Sequence, residues 1–128
     1  MTSRSETVNC AEARAFLQKR EQQREGRRRR RYQQARRDAE RIVHLIIEKY
    51  APQRIYQWGS LLSPERFGEI SDIDIAVEGL AGPERYFQLL GEADELTEFP
   101  LDLVELERIH PLHAEGIRRK GKLVYERP

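Results

Sequence analysis

The chain has 128 residues, of which 35% are charged and 38% hydrophobic. That length suits one domain with a modest core and is too short for two, and the composition is that of a globular protein rather than a disordered or membrane-embedded one. The net charge of +1 conceals a division: residues 1–50 carry 14 Lys/Arg and 7 Asp/Glu, residues 51–128 carry 9 and 15. A basic first part of this kind serves a partner or the protein's own acidic face, which leaves the chemistry to the second part. No apolar run approaches the ~20 residues of a bilayer-crossing helix, and the polar start Met1–Ser5 lacks the apolar stretch of a secretory signal. Cys10 is the only cysteine, so an internal disulfide is excluded and a reducing cytoplasm is the expected compartment.

Asn9 and Glu12 have the spacing of a capping box, so a helix is predicted to begin there and to run to Tyr50. Ala35, Ala39, Ile42/Val43, Ile46 and Tyr50 recur at helical spacing and give its later half an apolar stripe, which Ala51-Pro52 ends. Residues 18–32 have almost no apolar face and include Gly26; a projecting helix, a frayed one and one ordered only by a partner all remain open. The division expected is a basic helical arm over residues 1–50, its later half packed on the rest, and a core over residues 51–128.

The core begins with a run of β formers, Arg54–Trp58, followed by Gly59-Ser60 and a turn-rich stretch, then a strand from Asp72 to Glu78. Gly79–Gly82 break the chain, Pro83 is placed for a helix's first turn, and Tyr86, Leu89/Leu90, Ala93 and Leu96 mark one face of that helix. Leu101–Leu106 alternate as a strand, Ile109–Arg119 suit a short helix, and Lys122–Glu126 a last strand. The fold class predicted is α/β, a mixed sheet of about four strands flanked by helices.

The costliest feature is Asp72-Ile73-Asp74 inside an apolar run. Side chains alternate along a strand, so Asp72 and Asp74 share one face while Ile73, Ile75 and Val77 take the other. Adjacent carboxylates repel, and a bound Mg²⁺ or Mn²⁺ relieves the repulsion with oxygen ligands of this kind.

Trp58-Gly59-Ser60, Ser71–Gly79 and Phe99–Val104, in this order of elements, resemble the minimal nucleotidyltransferase (MNT) family of the DNA polymerase beta superfamily, over roughly residues 40–128. The family pattern places ten residues between Gly-Ser and Asp-x-Asp; here Leu61–Ser71 make eleven, in a loop where insertion is cheap. Leu61 stands where the family often has a basic residue, and Arg66 is the nearby substitute. The resemblance implies that Asp72, Asp74 and Asp102 hold two Mg²⁺ ions and carry catalysis, and that Gly59, Ser60, Ser71 and Arg66 meet the ATP phosphates. It also implies an antitoxin that transfers AMP to a tyrosine hydroxyl of a HEPN-type ribonuclease toxin. Two other functions fit the residues: a non-catalytic module that neutralises its partner by contact through the arginine arm, and an adenylyltransferase acting on a small, antibiotic-like compound.

Each motif also has a plainer explanation. Asp102 can be a solvated edge residue, but Glu105, three residues on, falls on the opposite strand face and is the poorer ligand. Ser60 can be a turn former only, and His110 and His113 lack the companions of a zinc site and suit surface or capping roles. Arg27–Arg31 can be a solvated helix face, a contact for an acidic protein, or a nucleic-acid contact. Five adjacent arginines wrap around a helix and make no single groove-reading face, which disfavours nucleic acid.

Overall fold

The computed structural model describes residues 2–69 and 71–128, with side chains from Asn9 onward. One helix, α1 (Thr2–Leu45), takes the first third of the chain and ends in a wider π-helical turn, Ile46–Tyr50. Its start differs from the capping-box expectation, because Asn9 lies well inside the helix. An N-cap needs non-helical backbone, and the segment before Asn9 contains neither Gly nor Pro to stop the ladder from extending backwards. At the other end Ala51 adopts left-handed backbone, φ 45°, and Pro52 offers no N–H to continue. Residues 9–25 are exposed on every side, so this stretch projects as continuous helix. From Tyr32 onward the apolar stripe turns inward, and Ala35, Ala39, Ile42, Ile46 and Tyr50 are all buried.

Four strands follow: β1 (Arg54–Trp58), β2 (Ile73–Glu78), β3 (Leu101–Glu105) and β4 (Lys122–Glu126), in the order β3-β2-β1-β4. β1 is antiparallel to both β2 and β4. β2 and β3 run parallel, a pairing that needs a crossover, and helix α2 (Pro83–Asp94) supplies it. Helix α3 (Pro111–Lys120) leads into β4. Both helices open on proline, whose missing N–H costs nothing in a first turn. This is the mixed four-stranded sheet with flanking helices and long basic N-terminal helix predicted from the sequence.

The two faces of the sheet are covered unequally. Ile55, Ile73, Ile75, Val77 and Leu103 meet α1 and α2 in the main core, each fully buried aliphatic contributing about 1.5–3 kcal/mol. On the other face Tyr56 and Ala76 pack with Leu106 and with Ala114 and Ile117 of α3 in a smaller cluster. Asp74 and Asp102 share that second face by alternation, beyond the apolar patch beneath α3.

Candidate active site

Register brings the carboxylates together. In the parallel pair β2/β3, Asp74 stands opposite Asp102, so their side chains leave the same face of strands about 4.8 Å apart. On the β1 side Asp74 is paired with Trp58, the residue before Gly59. Asp72 lies one residue before the start of β2 rather than within it and is half-buried. Glu105 is paired with Val77 on the opposite face, where its Oε1 lies 3.1 Å from Arg108 Nε.

Gly59 is required twice over. Its φ of 79° is left-handed backbone, and an added Cβ would overlap Asp74 Oδ2 and lie 3.0 Å from Asp74 Cγ. The main chain of the Gly59–Leu62 turn therefore passes directly against the carboxylate, and a larger residue would displace it.

Asp74 and Glu78 lie on one face of the same strand and meet opposite surroundings. Glu78 is flanked by Arg54 (2.7 Å) and Arg118 (2.6 Å); burial works against its charge, yet the two guanidiniums hold its carboxyl below the usual range. Asp74 is 9% exposed, and burial, then Asp102, then Asp72 push its carboxyl up to about 7. One end of β2 is charge-compensated by the protein's own side chains, whereas at the other end every charge acting on Asp74 has the same sign.

The remaining predicted residues lie in or after the same turn. Ser60 is half-buried, and its carbonyl accepts from Ser63 N–H at 3.1 Å. Arg66 and Gly59 line one cavity of about 500 Å³, together with Trp58, His113 and Lys120. Ser71 closes the loop: its Oγ accepts from Gly68 N–H at 2.9 Å, and its own N–H donates to the Gly68 carbonyl. Trp58 and His113 meet edge to face at 5.4 Å. Sequence reasoning missed His113 and Lys120 as neighbours of the site, because only the packing of α3 against β1 brings them there. His110 caps α3 through Nδ1, which accepts from Leu112 N–H at 3.1 Å.

Among the described residues no three Asp, Glu, His or Cys side chains stand as a ready-made metal cage. Mg²⁺, however, is usually held by one or two carboxylates with substrate phosphates and water completing the octahedron, rather than by an all-protein cage. A buried Asp74 opposite a half-buried Asp102, with Asp72 nearby and only negative charges adding to burial in raising the Asp74 carboxyl, fits such an ion chemically. The arrangement suits binding of a cation-bridged polyphosphate.

Fold and site together define a nucleotidyltransferase-like α/β protein. The chain belongs to the polymerase beta nucleotidyltransferase family, whose pattern matches residues 40–128. Among solved structures it is similar to a toxin–antitoxin complex with AMP-PNP (24% identity, TM-score 0.58, covering 70% of this chain and 73% of that one). It is likewise similar to the toxin–antitoxin MntA-HepT (21%, TM-score 0.55, 72% and 73%). A third similar structure contains a tri-AMPylated HEPN toxin of Shewanella oneidensis in complex with MNT antitoxin (21%, TM-score 0.54, 73% of each chain). At these identities the likeness speaks for the fold. Comparison with curated proteins finds no match. No helix among the described residues is long and apolar enough to cross a membrane.

Proposed function

We propose that the protein is a metal-dependent nucleotidyltransferase and the antitoxin of a HEPN/MNT pair, transferring AMP from ATP to a tyrosine hydroxyl of a partner ribonuclease toxin in the cytoplasm. The observation that carries this reading is the uncompensated Asp74–Asp102 pair held against Gly59. Support for the partner and for AMP as the transferred group comes from the similar structures, one with AMP-PNP and another containing a tri-AMPylated HEPN toxin with its MNT antitoxin.

In this reading Asp72, Asp74 and Asp102 hold Mg²⁺, which supplies charge neutralisation at the triphosphate and a lowered pKa for the attacking hydroxyl. Gly59 lets the phosphates approach the main chain, while the Ser60 hydroxyl and neighbouring N–H groups donate to their oxygens. Arg66 and Lys120 bring positive charge to the adjoining cavity. The acceptor oxygen forms a bond to the α-phosphorus as the bond to the pyrophosphate oxygen breaks. The chain's residues position and neutralise; none of them is required as a nucleophile.

The test is to incubate the purified chain with the protein encoded beside it, Mg²⁺ and labelled ATP. AMP is expected on a tyrosine of that protein, found by mass spectrometry, and is expected to vanish with Asp72→Asn/Asp74→Asn. No label, together with equal toxin suppression by wild type and the double variant, would favour neutralisation by contact alone. Label on a small hydroxylated compound instead would move the acceptor away from protein.

A further inference from the structure

Within the run Arg27–Arg31 only Arg28 and Arg31 are half-buried, while Arg27, Arg29 and Arg30 are exposed. Spaced three apart, the two share one side of α1. Arg28 Nη1 donates to the carbonyls of Pro64 and Phe67, and Arg31 Nη2 donates to the Glu69 carbonyl at 2.9 Å. Glu25, 2.6 Å from Arg28 Nη2, orients that guanidinium. The Arg31 guanidinium lies 4.6 Å above the Phe99 ring, Phe99 meets Phe67 edge-on at 6.0 Å, and Phe67 meets Tyr32 at 5.7 Å. Phe67 itself is fully buried.

What these contacts hold is the connection between the two halves of the site. The described residues between Ser60 and Asp72 lie outside the sheet ladder from Ser63 onward, and their main-chain bonds make short internal turns, Arg66 N–H to Ser63 and Ser71 N–H to Gly68. The exposed Pro64 and Glu69 carbonyls could be satisfied by water, so their convergence with the part-buried Phe67 carbonyl on one helix side marks a fixed position rather than a need for donors. Phe99 immediately precedes Pro100, whose carbonyl accepts from Ile73 N–H at 2.9 Å where β2 and β3 begin. Residues 28–32 thus grip the chain just before Asp72 and just before Asp102. They lie outside the family-matched segment, residues 40–128.

We propose that Arg28 and Arg31, with Tyr32 packed on Phe67, form a clamp by which the N-terminal helix sets the position of the Ser60–Asp72 loop, which makes the two arginines positioning residues of the nucleotide site. The functional half of this inference rests on the nucleotide reading above; the mechanical half does not. Two of the five arginines are therefore spent on the protein's own loop, and the run as a whole is not a free basic patch.

The experiment compares the full chain with Arg28→Ala/Arg31→Ala and, as a charge-matched control, Arg29→Ala/Arg30→Ala. Amide hydrogen exchange over residues 61–72 reads the loop, and Mg²⁺-ATP titration followed by the fluorescence of Trp58, the only tryptophan, reads the site. The Arg28/Arg31 variant is expected to lose protection in the loop and to bind about tenfold or more weakly, as displaced binding groups do, with the far-UV spectrum unchanged. Arg28→Lys/Arg31→Lys, which keeps donors but not the planar fork, should recover part of both. Unchanged loop protection, or equal losses in the Arg29/Arg30 control, would overturn the clamp. If the variant fails to fold, the single variants Arg28→Ala and Arg31→Ala repeat the exchange test, and loop protection equal to wild type in both would again overturn it. A wild-type chain that ignores Mg²⁺-ATP while the exchange difference persists would sink the nucleotide reading and leave the mechanical clamp standing.

Discussion

The two ends of β2 carry the same chemistry under opposite conditions. Glu78 and Asp74 are both largely buried carboxylates on one strand face, yet Glu78 sits between Arg54 and Arg118 whereas Asp74 is surrounded by Asp72 and Asp102. A protein able to place two arginines at one end of a strand has left the other end uncompensated, at a cost in stability. The difference singles out the Asp74 end as the place where a ligand's positive charge would act, because Glu78 is already paired with two arginines while the charges acting on Asp74 are negative.

The largest expected effect comes from exchanging the two ends' fates. Asp74→Asn is expected to lower AMP transfer at least ~100-fold, the order of loss when a catalytic metal's ligand is removed, while Glu78→Gln leaves transfer within a few-fold. Initial rates with labelled ATP check both, and comparable losses in the two variants would erase the distinction drawn here. Next in size, Gly59→Ala combines left-handed backbone with overlap on Asp74. It should cost about 1–3 kcal/mol in denaturant unfolding and abolish any response to Mg²⁺-ATP.

The pH dependence has opposite signs at the two ends. Asp74 holds its proton in the native state up to about 7, whereas the unfolded chain releases it in the ordinary carboxylate range. Native protein then binds more protons than unfolded, so metal-free stability falls as pH rises through that interval. Asp74→Asn should remove this fall and leave the metal-free protein more stable at pH 8, by about 1–2 kcal/mol once solvent screening is allowed for. Glu78, with its carboxyl held low, contributes stability above its unfolded value that is lost as pH falls through its native one; Glu78→Gln should therefore weaken the protein at neutral pH. Thermal melting from pH 4 to 8 without metal resolves both, and parallel curves for the two variants would contradict them. The smallest effect is expected at Arg29 and Arg30, where alanine should change the melting midpoint by the equivalent of no more than about 0.5 kcal/mol, as for exposed surface positions.

Much of the fold was legible in the sequence. The bounds of β1 and β4 coincide with those expected, since short runs of β formers between Gly, Pro and charge clusters leave few alternatives. Pro83 located the start of α2 for the same kind of local reason. The helix start at Asn9 was misread because a capping pattern is permissive, and only what precedes it decides whether the ladder stops there. Of the candidate site, Asp74 lies opposite Asp102 and against Gly59, Gly59 and Arg66 line one cavity, and Asp72 stands just outside the strand expected to contain it. Lys120, His113 and the grip of Arg28 and Arg31 gave no local signal, because each depends on a contact with sequence-distant chain.

By itself the sequence determined the periodicities: which residues alternate along each strand and which helix side is apolar. These follow from backbone geometry that each residue carries locally. Only the tertiary structure decided that β3 lies parallel to β2 with Asp102 beside Asp74, that α3 packs on Tyr56 and Ala76, and that two of five equivalent-looking arginines reach the loop before Asp72. Strand neighbours and helix coverage are chosen by the burial of surfaces far apart in the chain, and the charge environment of each carboxylate is set only when that burial is complete.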